Sequence, residues 1–143
     1  MIDRASMPAR LRAEGKRVTR ERELLLDIIV ANPHLDATEI FERARGVNPR
    51  IGLATVYRTL RLLETLAVID SSGLGEDHSH YEMHQKDHVH LVCSECGAVL
   101  DVPVPFDVRA FGRRRGFDAR LTRFELVGVC DACRAEPHGG RRP

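Results

Sequence analysis

Two CxxC pairs, Cys93–Cys96 and Cys130–Cys133, hold all four cysteines of the chain, and they restrict its folding more than any other feature. Within each pair two thiolates share one tight turn and reach a single ion, and two such turns complete a tetrahedron. Any fold of the C-terminal half must therefore bring the two turns together. A closed four-thiolate set leaves no open position for a substrate, so it staples structure and runs no reaction; zinc is the usual occupant. A four-thiolate iron site satisfies the ligand count, but a redox centre has no need of the basic helical half described next. Redox dithiols are the third alternative. A thioredoxin-like CxxC opens a helix after a strand, whereas "CSEC" and "CDAC" are expected at strand ends. The N-terminal "MIDRASMPARLRAEGKR" has no apolar signal segment, which points to the reducing cytoplasm and to metal binding in place of disulfides. No apolar run approaches the ~20 residues of a membrane span.

The N-terminal half reads as helical. "PARLRAEGKR" predicts a short helix closed by Gly15, and Thr19 stands at the N-cap of "RERELLLDIIVA", whose Leu24, Leu25, Ile28 and Ile29 form an apolar stripe. "DATEIFERAR" opens with the capping box Asp36 to Glu39 and buries Ile40 and Phe41. In "IGLATVYRTLRLLETL", Val56, Leu60, Leu63 and Ala67 repeat at helical spacing, with Thr55, Arg58, Thr59, Arg61 and Thr65 toward the other side. Short helices ending in one that bears Arg and Thr have the look of a helix-turn-helix. Seven basic residues against two acids between Arg4 and Arg22 suit phosphate binding, although a solvated helix face gives the same composition. A second basic run spans Arg113 to Arg115.

Beyond residue 67 the texture changes. "AVIDSSGLGEDHSHYEM" predicts a β-hairpin wing; "HVHLVC", "AVLDV", "FDARL" and "RFELVGVC" predict strands, with one helix in "PFDVRAFGRRRG". The fold class is α+β. The expected domains are a winged-helix domain over 1–84, a small α/β domain over 85–136 and a disordered tail over 137–143.

Five of the seven histidines lie between His78 and His90. As an H-x-H on a strand, His88 and His90 point to one face. Four thiolates already saturate one zinc, so an ion held by these histidines is a second one, with Glu82 and Asp101 as candidate carboxylate ligands. Nitrogen and oxygen donors without thiolate suit Fe(II), Mn(II) or Ni(II). "HYE" at 80–82 formally matches the H-x-E of zinc deaminases, but Val92 precedes Cys93 where that motif has proline, and two cysteines would be idle. No enzyme is expected.

With "GLATVYRTLRLLE" at 52–64, "DHVHLVCSECGAVLD" at 87–101 and "GVCDAC" at 128–133, residues 10–135 resemble the ferric uptake regulator family. The resemblance implies a homodimeric metal-dependent repressor, with an N-terminal winged helix and a C-terminal α/β dimerisation domain. It implies structural Zn(2+) on Cys93, Cys96, Cys130 and Cys133, and a regulatory site of His34, Glu82, His88, His90 and Asp101 for Fe(2+) or Mn(2+), joining the two halves. It implies contact with a double-stranded DNA operator, an A/T-rich palindrome, through Thr55, Tyr57, Arg58 and Thr59, with Lys16 and Arg22 ahead of them. Where many members have a further site, this chain has Asp87, Val89 and Thr122, so that site is expected to be missing. Asp101 leans toward the peroxide-sensing branch, in which bound Fe(II) and peroxide oxidise a ligand histidine; Glu82 leans toward the iron sensors. A zinc-responsive uptake regulator of the same family, and a metal storage or delivery protein without DNA, are the alternatives.

Overall fold

The computed structural model describes residues 4–85, 87–121 and 123–136. The expected tail at 137–143 and Thr122 lie outside them. The described residues form two compact units, one of 4–73 with 77–85, the other of 74–76 with 87–121 and 123–136. Among the described residues no helix is long and apolar enough to cross a membrane.

The first unit is a winged helix. A 3-10 turn, Arg4–Ser6, leads into α1 (Met7–Ala13), α2 (Arg20–Ala31), β1 (Leu35–Asp36), α3 (Ala37–Val47), α4 (Leu53–Thr65), β2 (Ile69–Ser72) and β3 (His80–Met83). Gly15, at φ 65°, reverses the chain after α1. The Thr19 hydroxyl accepts the Arg22 N–H at 3.3 Å and starts α2. The Asp36 carboxylate accepts the Glu39 N–H at 2.8 Å while the Glu39 carboxylate accepts the Asp36 N–H at 2.9 Å, so both halves of the predicted capping box are made.

Leu25, Leu26 and Ile29 of α2, Ile40 and Ala44 of α3, and Val56, Leu60 and Leu63 of α4 share one core, which Met7 and Leu11 of α1 close. Burying each large aliphatic side chain contributes roughly 1.5–3 kcal/mol. Three sequence expectations change here. Ala67 is exposed, because the helix ends at Leu66 and Ala67 turns the chain at φ 50°, handing the buried place to Val68. Phe41 is only half-buried, with the Arg45 guanidinium 5.4 Å from its ring centre. Thr59, placed by the sequence on the polar side of α4, is 5% exposed. It follows Val56 by three residues and precedes Leu63 by four, so helical geometry turns it inward.

Not all of the N-terminal basic run is free for a partner. Arg10 donates to the Leu66 carbonyl at 2.6 Å and to that of Ala67 at 3.3 Å, placing a cation where α4 presents its unsatisfied carbonyls. Arg4 pairs with Asp27.

The wing pairs β2 with β3 antiparallel, from Ile69 opposite Met83 to Ser72 opposite His80. β1 adds a strand that the sequence did not signal, being two residues long, with Leu35 opposite Tyr81 and Asp36 opposite His80.

In the second unit β4 (His88–Cys93) lies between β5 (Val99–Pro103), antiparallel to it, and β6 (Glu125–Gly128), parallel to it. Between β5 and β6 comes α5 (Val108–Arg113), started by the Asp107 carboxylate, which accepts the Ala110 N–H at 2.8 Å. That bond holds the Asp107 carboxyl below the usual range. "FDARL" is not a strand. Gly116, at φ 80°, turns the chain back, and the Phe117 N–H donates to the Gly112 carbonyl at 3.1 Å, so the segment closes on α5 instead of joining the sheet. Gly112 admits this approach: a Cβ there would come within 2.4 Å of the Ala119 Cβ. A last helix, α6 (Asp131–Ala135), follows β6.

Asp36→Ala is expected to lower unfolding free energy by about 1 kcal/mol through loss of the cap, whereas Asp36→Asn, which keeps an acceptor oxygen, stays within a few tenths. Urea denaturation of the two variants beside the parent chain checks this; equal losses would place the cost elsewhere than in the cap.

Candidate metal centres and nucleic-acid face

Cys93 ends β4, and Cys96 lies in the following turn, which Gly97 closes at φ 74° with its N–H donating to the Cys93 carbonyl at 2.9 Å. Cys130 is the N-cap residue of α6 and Cys133 lies within it. The parallel register sets Cys93 opposite Gly128, and the Ser94 N–H donates to the Gly128 carbonyl at 2.7 Å, so the two turns stand side by side. All four sulfurs can lie within 4.8 Å of one another, and Cys96 Sγ is 3.9 Å from Cys130 Sγ. A tetrahedron of Zn–S bonds near 2.3 Å has edges of about 3.8 Å, so the donors fit zinc.

The thiols respond unequally to this crowding. The Cys130 N–H donates to Cys93 Sγ at 3.3 Å, and this bond, with further amides of Cys96 and Glu95, lowers the Cys93 thiol to about 6. Cys133 is pushed up to about 12, first by its hydrogen bond with Cys130 and then by burial. One detail departs from expectation: "CDAC" does open a short helix after a strand, as a redox CxxC would. The gathering of both pairs at one point, not their local context, is what identifies a metal staple.

The histidine and carboxylate donors are prepared in each unit separately. In the first, His34 sits between α2 and β1 at φ 71°, a left-handed conformation that costs a non-glycine residue on the order of 1 kcal/mol or more. Its N–H donates to the Tyr81 carbonyl at 2.9 Å, and its Nε2 lies 3.1 Å from Oε2 of Glu82, a β3 residue that is 1% exposed. A carboxylate this deeply buried needs compensating partners.

In the second unit His88 and His90 share a face of β4, their Nε2 atoms 3.1 Å apart. Asp101 stands opposite His90 on β5, with Oδ1 at 3.6 Å from His90 Nε2. His90 thus has a second imidazole on one side and a carboxylate on the other, with no sulfur, donor types that suit Fe(II), Mn(II) or Ni(II). Glu125 on β6 is in register with His90 and so shares its face. Only the parallel register reveals it, and no spacing in the sequence signals that register.

On α4, Tyr57 is 51% exposed and Arg58 is exposed, with its Nη2 donating to Thr55 Oγ1 at 3.4 Å. Thr59 faces the core and is removed from the expected contact set. Lys16 is exposed just after α1; Arg22 is half-buried in the first turn of α2, its guanidinium donating to the Arg17 carbonyl.

Binding of a structural zinc supplies some 10–16 kcal/mol in small zinc domains, more than a sheet of this size holds in reserve. Cys130→Ser and Cys133→Ser are each expected to lose the zinc ion and the folded second unit, as read by metal analysis and by amide exchange of β4 and β6. Retention of exchange protection without metal would show that the sheet stands unaided.

Comparison with known proteins agrees with this geometry. The model of the ferric uptake regulator family matches residues 13–109. The chain is 31% identical over 137 residues to the ferric uptake regulation protein of Synechococcus elongatus, covering 90% of this chain and 93% of that one. It is 28% identical over 132 residues to the peroxide-responsive repressor PerR of Staphylococcus epidermidis, covering 90% and 88%. Among solved structures, the ferric uptake regulator of Francisella tularensis with iron is similar at a TM-score of 0.67 and 25% identity, covering 84% and 96% of the two chains. With two thirds of its length inside the family model and its cysteine and histidine sets in place, the chain belongs to the ferric uptake regulator family.

Proposed function

We propose that the chain is a cytoplasmic, homodimeric transcriptional repressor that binds DNA when Fe(II) or Mn(II) occupies a regulatory site, with zinc as a permanent staple. The observation that carries this reading is the double use of β4, whose His90 meets both His88 and Asp101 and whose last residue is one of four gathered cysteines. Regulators of this family bind DNA and act as dimers.

Neither histidine and carboxylate set completes a coordination sphere by itself. The proposed regulatory ligands are therefore His34 and Glu82 of the first unit with His88, His90 and Asp101 of the second. When bound, the ion supplies the positive charge that lets these donors approach without repulsion. His34 and Glu82 lie on the winged helix, so filling the site restrains how that unit is carried, and metal binding couples to DNA affinity by linkage, typically 1–3 kcal/mol.

For DNA, Thr55, Tyr57 and Arg58 are proposed to enter the major groove, where Arg reads guanine or phosphate and Tyr packs on thymine methyls. Lys16 suits a narrow A/T-rich minor groove, and Arg22 holds the segment that presents it. A two-fold dimer calls for a palindrome. The proposed dimer face is the side of the sheet opposite the histidines, where Leu100 and Leu126 flank Leu91 and are 60% and 52% exposed.

A second reading draws on Asp101 and on the similarity to peroxide-responsive repressors: the protein senses peroxide through Fe(II). Nothing in the donor sets favours storage or delivery.

Two outcomes are expected. Anaerobic titration of the zinc-replete protein with Fe(II) or Mn(II) raises affinity for A/T-rich palindromic DNA roughly 5- to 150-fold, and His90→Ala abolishes the response. Metal-independent binding would overturn the reading. After Fe(II) loading, peroxide adds one oxygen to the peptide holding His34 or His88–His90 and releases the DNA; an unmodified peptide with binding intact leaves iron or manganese sensing alone.

A further inference from the structure

Asp36 divides its two oxygens. Oδ1 caps α3 by accepting the Glu39 N–H at 2.8 Å, while Oδ2 faces His78 Nε2 at 3.5 Å. On the β1–β3 ladder Asp36 stands directly opposite His80, and such cross-strand partners carry their side chains on one face about 5 Å apart. The rings of His78 and His80 lie 4.7 Å apart. Two imidazoles and the second oxygen of the Asp36 carboxylate, all in the first unit, therefore stand near one another on the wing.

A plain ion pair explains only part of this. His78 Nδ1 also lies 3.4 Å from Asp77 Oδ1, so a protonated His78 between two carboxylates is satisfied, and His80, opposite Asp36 on the ladder, brings a second imidazole to the same side. Nor is the group remote from the proposed DNA face. Asp36 and His78 line a cavity of about 390 Å³ whose walls include Thr38, Tyr57 and Tyr81. Tyr57 is the exposed aromatic of α4 and Tyr81 is 8% exposed.

We infer that Asp36, His78 and His80 form a further divalent-cation site, within the DNA-binding unit. Imidazole-rich donors with one carboxylate suit Zn(II), Ni(II) or Co(II) better than Mg(II) or Ca(II). An ion there ties β3 to β1 and to the start of α3, next to Tyr57, and so stiffens the wing against the helix that would read DNA. The Asp36 Oδ1 cap is compatible with this use, since coordination needs only Oδ2.

The chain supplies its own reporter: it has two tyrosines and no tryptophan, and both tyrosines line this cavity. Co(II), a paramagnetic quencher, is the probe. The experiment uses full-length, zinc-replete protein carrying His90→Ala, which disables the proposed regulatory set. Equilibrium dialysis and tyrosine emission are followed in this background and with His78→Ala and His80→Ala added. The expected result is one Co(II) per chain with quenching in the parent, and loss of that equivalent and of the quenching in the variant, while circular dichroism shows both folded. Asp36→Asn, which keeps the cap, is expected to weaken Co(II) binding at least tenfold. Equal Co(II) uptake and quenching with and without the two histidines, or no quenching in the parent, would overturn the site. Because His90 is already replaced, either outcome leaves the repressor reading to be tested by metal-dependent DNA binding.

Discussion

The parallel pairing of β4 with β6 is the interaction on which the second unit depends. It sets Cys93 beside Gly128, so that Cys130, two residues later, arrives at the turn holding Cys96. Parallel neighbours require a crossover, and here β5, α5 and the loop folded back on Gly112 supply it. Three short strands with one exposed apolar face bury too little to hold such a long-range pairing unaided. An ion held by the four thiolates would close the crossover loop at its end, where closure is otherwise paid for in chain entropy.

The same strand carries the proposed regulatory histidines on one face because side chains alternate across a sheet. His88 and His90 point to one face, and the row through Leu91, with Leu100 and Leu126 to either side, points to the other. One strand thus offers metal donors on one side and an apolar surface on its back, while its end holds the staple. A shift of register by one residue would exchange the two faces. The cysteines forbid such a shift, since it would carry Cys93 away from Gly128. A metal on the four thiolates would in this way protect the geometry of the proposed sensing residues without touching them.

The sequence was most legible where chemistry is local. The cap at Thr19, the Asp36–Glu39 box, the reversal at Gly15 and the wing hairpin each rest on a few adjacent residues. It was least legible where a residue's role depends on what another part of the chain does. "FDARL" has strand composition but its backbone is engaged by α5, and the two-residue β1 exists only because β3 offers it an edge. For the candidate sites the same division holds. The CxxC and H-x-H spacings announced themselves, whereas Glu125 is invisible until its register with His90 is known. His34 carries no local signal either; the family resemblance alone makes it a ligand candidate, and the structure adds its 3.1 Å distance to Glu82.

Thr59 shows how a plausible contact set is corrected by helical geometry. A recognition helix must bury one stripe and present another, and on α4 the buried stripe runs through Val56, Thr59, Leu60 and Leu63. That leaves Tyr57 and Arg58, adjacent in sequence and about 100° apart around the axis, to meet a groove together. Arg58 is steadied by Thr55 one turn earlier, which makes Thr55 a support for the reading side chain as much as a reader itself. On the proposed reading, base recognition by this helix rests chiefly on one aromatic and one guanidinium. Two side chains of such reach give modest discrimination per half-site, a few kcal/mol at most, so useful specificity has to come from doubling the half-sites. If the chain dimerises through the proposed face of the second unit, dimerisation is part of DNA recognition, and a metal on the four thiolates of that sheet would enter the binding free energy directly.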